Sequence, residues 1–419
     1  MKKSPFFERL AYTIILGLTA KLLIDTTVQL FNPFLPIFAG GLGVSIIALG
    51  RLVGLRQSMG LLAPVFGTLA DRIGHRYVLQ IGLVLAGIGN ILIGFDLGLP
   101  GLVLGMVLSG IGVSIYAPNL HAYLGGKLEY HRRSRVMGII EYSWALAGIV
   151  GLSISGLLIE TVGWNTPFFI IGIGLILYAV FFFTIPVQKT AVQKKPVQKT
   201  VKRETPGTGP ESTEEEAPSG LLRSFAKFFD LGENARSAWG AVAVSGFNFF
   251  AVTNVLLAHG QWLTAEYGVT AGRLGLIALV LGCFDWAASI TVSVAGDRIG
   301  KKRSVLIGVA GTILGYVLLP FLNSSLVTAV AGIIIPRFFF EFATVSNFPL
   351  LSEQVPEQRG KLMSLSITAG LVGTTVAGIS GPWLYANFGV WGLGPVSLLA
   401  AILSLFAVVV FVKDAHRAV

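Results

Sequence analysis

The sequence predicts an all-α membrane protein of twelve transmembrane helices, built as two six-helix bundles related by a parallel pseudo-two-fold repeat. Three observations predict it: apolar runs of bilayer length recur along the chain, a short motif returns 226 residues later, and charged residues inside the spans keep to particular helices.

Hydrophobic residues make up 53% of the 419 positions and charged residues 12%, about half of the roughly 25% charged share of a soluble domain. One protein core cannot absorb that much apolar surface, so lipid must supply the environment. Windows of about 20 mostly apolar residues, enough to cross about 30 Å of hydrocarbon, fall near 10–38, 46–69, 77–95, 101–121, 135–158 and 166–186, and again near 237–259, 271–295, 303–323, 326–350, 360–385 and 392–412. Met1, Lys2 and Lys3 precede the first window as in a signal peptide. No small-residue cleavage site follows, and Lys21 and Asp25 interrupt the apolar run, so the window is read as a span.

The expected domains are 1–186, an N-terminal six-helix bundle; 187–236, a polar cytoplasmic linker with three consecutive glutamates, Glu214 to Glu216; and 237–419, a C-terminal six-helix bundle. The linker composition favours disorder. Leu221 to Phe229 alternates apolar and basic residues, as an interfacial helix or a lead-in to the seventh span would. All but five of the 31 Lys and Arg lie at the termini or in loops after even-numbered spans; the exceptions are Lys21, Arg51, Arg56, Arg273 and Arg337. By the positive-inside rule both termini are cytoplasmic, which requires an even number of crossings. The expected location is a multi-pass plasma (inner) membrane.

Ala70-Asp71-Arg72-Ile73-Gly74-His75-Arg76 recurs as Gly296-Asp297-Arg298-Ile299-Gly300-Lys301-Lys302. The same offset carries Arg133 onto Arg359, Arg135 onto Lys361 and Met137 onto Met363. Six spans separate the copies, so the halves share one topology, related by an axis along the membrane normal.

Over essentially its whole length the chain resembles the major facilitator superfamily. Gly67-Thr68-Leu69-Ala70-Asp71-Arg72-Ile73-Gly74-His75-Arg76 is similar to that family's Gly-x-x-x-Asp-Arg-x-Gly-Arg/Lys-Arg/Lys signature, with His75 replacing a base, and Ser293 replaces the leading glycine of the second copy. The resemblance implies a gating latch of Gly67, Asp71, Arg72, Gly74, Arg76, Asp297, Arg298 and Gly300 that locks the cytoplasmic ends of the halves. Physically, Gly67 permits close helix approach, and Asp71 suits a helix N-terminus. A mere topology role for the bases is the plainer reading.

Ionisable residues inside spans are costly and need a partner or a wet cavity. They are Lys21 and Asp25 in span 1, Arg51 and Arg56 in span 2, Glu141 in span 5, Asp285 in span 8, and Arg337 and Glu341 in span 10; spans 3, 6, 9 and 12 hold none. The resemblance places those four spans outside, facing lipid, and the other eight around a cavity. Asp25 and Glu141, tuned by Arg56, are expected to carry a coupling proton, and Arg337 and Glu341 to serve substrate binding or gating. Desolvation raises a carboxylate's proton affinity and a nearby Arg lowers it, so a movement that exchanges the two binds or releases a proton. The i, i+4 pairs Lys21/Asp25 and Arg337/Glu341 also permit simple local neutralisation. Asp285 with Trp286 is a second candidate site, with pairing to Arg337 the plainer account. Tyr116, Tyr142, Trp144, Phe250 and Trp286 are candidate pocket aromatics, although rings in membrane proteins more often pack or anchor.

Pro33-Phe34-Leu35-Pro36 and the preceding Asp25 resemble the twelve-helix drug/proton antiporter branch; Met106 stands where that branch has an arginine, and only Gly151-Leu152-Ser153-Ile154-Ser155-Gly156 corresponds to its span 5 glycine motif. The expected function is proton-coupled export of a small organic or amphiphilic solute by alternating access. Alternatives are organic-anion uptake or facilitated transport, suggested by Arg51, Arg56 and Arg337, and lipid flipping. The expected partners are a small-molecule substrate and the lipid bilayer, with no nucleic acid, no metal, no cofactor other than a coupling ion, H+, and a monomeric chain. An enzyme is disfavoured: glycines such as Gly87 and Gly89 lie within spans and no Gly-Lys-Ser/Thr follows.

Overall fold

The computed structural model describes residues 5–127, 130–186 and 230–413, and the described residues are helical with no strand. Twelve long helical elements among them account for the twelve windows. α1 is Pro5–Gln29, continued past Leu30 by Phe31–Gly41. α2 is Ile46–Ser58, continued through the 3-10 turn Met59–Leu62 by Ala63–Ile73. α3 is His75–Gly94, α4 Gly98–Lys127. α5 is Tyr130–Leu146, a π-turn Ala147–Gly151 and Leu152–Thr161. α6 is Thr166–Phe181. The second half comprises α7 Ala235–Tyr267, α8 Ala271–Ile299, α9 Lys301–Leu318, α10 Leu326–Gln354, α11 Arg359–Phe388 and α12 Val390–Val410.

The breaks follow from proline chemistry. Pro33 and Pro64 lack an N–H and clash with the carbonyl four residues back, and the helix is interrupted at Leu30 and over Met59–Leu62. Among the described residues, eleven elements are long and apolar enough to cross a membrane. The remaining one, α9, has 18 residues and opens with Lys301, Lys302 and Arg303; at 1.5 Å per residue it is still close to bilayer length. α7 outruns its predicted end at 259 because His259 and Gln261 end the apolar window while the helix end stays packed and hydrogen-bonded: Trp262 Nε1 donates to Asn323 Oδ1, in the connection between α9 and α10, over 2.8 Å. Residues 187–229, including the candidate interfacial segment Leu221 to Phe229, lie outside the described residues.

The duplication is written in the turns. Gly74 and Gly300, at φ 102° and 92°, end α2 and α8 at the same offset as the sequence motif, and Gly163 and Gly389 are a second positive-φ pair at that offset. Only glycine adopts these angles without strain, so the two halves need glycine at equivalent corners.

Each half packs internally first: α3 on α4 and α6, α1 on α5, α7 on α11 and α12, and α9 on α10 and α12. The halves meet through the second piece of α1 on α7, the first piece of α2 on α11, and the second piece of α5 on α8. All three contacts lie away from the chain termini. There Gly50 and Gly54 face Gly378, Gly156 faces Gly275, and Gly260 faces the Pro33 carbonyl, each at separations that leave no room for a Cβ. Toward the termini, Ala63–Ile73 packs on its own half, so the molecule is closed at the end opposite the termini and open at the end that carries them. Exposed apolar stripes, such as Ile170, Ile173, Leu177 and Val180 on α6 and Leu399, Ile402, Phe406 and Val409 on α12, need lipid, since exposed apolar surface costs about 25 cal/mol per Å² in water.

Candidate functional site: two ionic clusters beside one seam

The first cluster joins α1, α4 and α5. Lys21 Nζ donates to Asp25 Oδ2 over 2.9 Å, to Ser143 Oγ over 3.0 Å and to Glu141 Oε2 over 3.3 Å. Ser143 Oγ in turn donates to Asp25 Oδ2. Lys21 and Asp25 are almost wholly buried, at 4% and 7% side-chain exposure, while Glu141 is 53% exposed. His121 Nε2 stands 2.9 Å from Glu141 Oε1. A buried ion pair is therefore continued, through one shared ammonium, to a carboxylate in contact with open space. Glu141 lies seven residues before Gly148, near the same helical stripe, and Gly148 faces Gly282 and Ala278 of α8. That places Glu141 on the side of α5 that looks across the seam.

The second cluster joins α8 and α10. Arg337 Nε donates to both oxygens of Asp285, over 2.8 and 3.0 Å, and Nη2 donates to Oδ2 over 2.6 Å. This two-nitrogen fork is the strongest geometry a guanidinium makes with a carboxylate. Glu341 accepts from Ser289 Oγ over 3.1 Å. Ser289 lies seven residues past Gly282, on the stripe of α8 that faces the first half, and Trp286, about half exposed, flanks it. The plainer expectation for Asp285 holds, and local neutralisation of Arg337 by Glu341 gives way to the fork across helices.

Several expected residues take other places. Arg56 is buried over the Phe31 ring at 5.2 Å, and its Nη1 and Nη2 have no partner among the described residues; it does not join Asp25 or Glu141, because its guanidinium lies past the break in α1 at Leu30, with Gly110 of α4 against its backbone and stem. Arg51 is exposed and takes part in neither cluster. Tyr116 is fully buried and donates to the Gly17 carbonyl over 3.2 Å, so it is a packing residue rather than a pocket wall. Tyr142 is 53% exposed and takes part in neither cluster. Phe250 is partly buried, with its backbone against Gly373 of α11. Trp144 is partly exposed near the Glu141 side of α5, and its carbonyl accepts from Gln29 Nε2 over 2.9 Å.

In the gating motif, the side chains of Asp71 and Asp297 lie outside the described residues. Arg72 and Arg298 are exposed. Arg76 donates to the Ile185 carbonyl over 3.0 Å, and Lys302, its counterpart 226 residues on, donates to the Val412 carbonyl over 2.6 Å. Both bases thus satisfy the end of the last span of their half, where a cation is favoured. A Cβ placed on Gly67 would meet nothing within 4 Å, so no helix approaches it in this conformation. Sequence reasoning missed His121, Ser143 and Ser289, and its interfacial reading of His259 gives way to a buried ring, 2% exposed. Each of the three missed residues has another polar residue within two positions, Asn119, Glu141 or Thr291, so spacing along the chain does not single it out.

Two six-helix bundles whose mid-span charged side chains lie on α1, α2, α5, α8 and α10 have the architecture of a membrane transporter. The family model described as Major Facilitator Superfamily matches residues 18–253 and 238–418, and the chain belongs to that family. It is 24% identical over 384 residues to the uncharacterized MFS-type transporter YwfA of Bacillus subtilis, covering 90% of this chain and 87% of that protein. It is 24% identical over 376 residues to the multi-drug resistance efflux pump PmrA homolog of Lactococcus lactis, covering 85% of each. Among solved structures, the crystal structure of the D-xylose-proton symporter superposes with a TM-score of 0.73 at 17% identity, covering 96% of this chain and 98% of that one. The protein is accordingly a multipass membrane transporter of this family.

Proposed function

We propose that the protein exports a small amphiphilic solute in exchange for protons, by alternating access of one central site. The observation that carries this reading is the shared ammonium of Lys21, held between buried Asp25 and half-exposed Glu141. A proton that arrives at either carboxylate removes one of the two charges Lys21 balances, and the remaining pair tightens. Rearrangement of the α1–α5 contact is then linked to protonation. His121 beside Glu141 is a titratable group at the wet edge of the cluster.

The charges at the seam suit a cationic or neutral solute better than an anion. The Arg337 fork is occupied by Asp285, whereas Glu341 and Glu141 both lie toward the seam. Arg56, with two unpartnered nitrogens, is the one observation in favour of an organic anion, but it is almost wholly buried and needs a rearrangement to meet one. The basic residues that flank the open end favour a cytoplasmic position for it and for both termini.

The test is reconstitution in proteoliposomes with an imposed proton gradient, comparing uptake of a cationic dye with that of an organic anion. Asp25→Asn and Glu141→Gln should each abolish gradient-driven dye movement. Undiminished dye transport in both variants, or a gradient-driven flux for the anion alone, overturns the proposal.

A further inference from the structure

A cavity of about 10 Å³, room for a single water, lies in the seam between the closed end and the ionic clusters. Gln29, Asn32, Pro33 and Leu152 of the first half line it, together with His259 of α7 and Arg337 of α10. His259 is 2% exposed, and its Nδ1 lies 2.6 Å from the Leu256 carbonyl. A carbonyl oxygen only accepts, so Nδ1 carries the proton of the neutral ring and Nε2 is left as an acceptor. That Nε2 is buried without a partner among the described residues. The next residue, Gly260, lies directly against the Pro33 carbonyl, so the ring is enclosed by the same contact that closes the halves.

The charged groups around the ring are few. Arg337 of α10 lines the same cavity, and Asp285 of α8 has both oxygens taken by that guanidinium. Glu341, one turn beyond Arg337, is held by Ser289. Glu266, two turns along α7, is held by Asn323 Nδ2 and by Tyr385 of α11. α1 and α5 contribute Gln29, Asn32, Pro33 and Leu152, none of which titrates.

We propose that His259 is a proton-binding site reached from the solution at the closed end when the halves part, and that the halves close only over the unprotonated ring. A protonated ring in the closed state would place two donors and a full charge in a cavity of about 10 Å³ beside a guanidinium, and the neighbouring carboxylates already have their partners. Burying such an uncompensated charge is strongly unfavourable. Closure and protonation therefore exclude one another, and by linkage a lower pH at that end favours the parted state, by up to tenfold per pH unit while the ring titrates. This rests on the alternating-access part of the proposed function, and not on which acid carries the coupling proton.

The test measures the gate rather than transport. In a Cys283→Ser background, spin labels at Val162→Cys and Val327→Cys, both at the closed end and in opposite halves, report the separation of the halves by pulsed electron resonance between pH 8 and pH 5. The parted fraction should rise as pH falls. His259→Gln and His259→Phe should each reduce this rise with falling pH, while His121→Gln, away from the cavity, keeps it. The same pH response in either folded His259 variant, or no response in the parent protein, overturns the proposal. Failure of the proton-exchange reading would appear instead as unchanged dye transport in Asp25→Asn and Glu141→Gln.

Discussion

Lys21 on α1 and Glu141 on α5 meet at 3.3 Å, although 120 residues separate them in the chain. The same ammonium is also the ion-pair partner of buried Asp25, so removing it strands one carboxylate in a dry site. Taking away one member of a buried pair costs about 3 to 5 kcal/mol, whereas replacing both with neutral groups is often nearly neutral. Lys21→Met should therefore lower the unfolding temperature in detergent sharply, and Lys21→Met with Asp25→Asn should recover most of it. Equal stability of the single and double variants would mean that the ammonium does not support Asp25.

The Asp285–Arg337 fork makes a different demand, on shape rather than charge. Two guanidinium nitrogens, Nε and Nη2, are engaged at once, and a lysine offers a single point charge on a flexible stem. Arg337→Lys keeps the charge and loses one charged hydrogen bond, worth about 1.5 to 3 kcal/mol. Its unfolding temperature should fall, whereas Glu341→Gln, which can still accept from Ser289, should remain close to the parent. A Lys variant as stable as the parent would show that only the charge matters there.

Topology was legible because it rests on coarse quantities: span length, the placement of bases and a repeated motif. Gly74 and Gly300 even mark the equivalent corners, since their positive φ demands glycine. Pairing was less legible. Arg56 lies on the neighbouring helix to Asp25 and reads as its partner, yet its guanidinium settles over the Phe31 ring, past the break in α1 at Leu30. Spacing of four residues suggested Arg337 with Glu341, but a residue on another helix offered a better fork. Lone histidines carry little signal in one dimension; His121 and His259 acquire meaning only from what α5 and α1 bring beside them.

Asn323 ties the closed end of the second half together. Its Oδ1 accepts from Trp262 Nε1 over 2.8 Å and from the Tyr267 hydroxyl over 2.7 Å, and its Nδ2 donates to Glu266 Oε2 over 2.6 Å. Asn323→Ala leaves the buried Trp262 N–H without an acceptor, a loss of about 1 to 3 kcal/mol. Hydrogen exchange at the end of α7 should accelerate, while exchange within α3 and α4 stays unchanged. Uniform acceleration over both halves would point to global unfolding instead.

Two glycines at opposite ends of the molecule should move the conformational equilibrium in opposite directions. A Cβ on Gly378 would lie 2.7 Å from the Gly54 Cα and 2.8 Å from its amide nitrogen, backbone atoms that cannot rotate aside, whereas one on Gly67 meets nothing within 4 Å. Gly378→Leu thus overpacks the contact that closes the halves, by about 1 to 3 kcal/mol, and should favour the parted state by roughly 5- to 150-fold. Gly67→Leu is harmless in the present conformation. If the end bearing the termini closes through this helix in the other state, the leucine blocks that closure and favours the conformation described above. Label distances between Val162→Cys and Val327→Cys should lengthen with Gly378→Leu and keep the short component with Gly67→Leu, and both variants should transport more slowly. Lengthening in both would mean that Gly67 has no part in closing the opposite end.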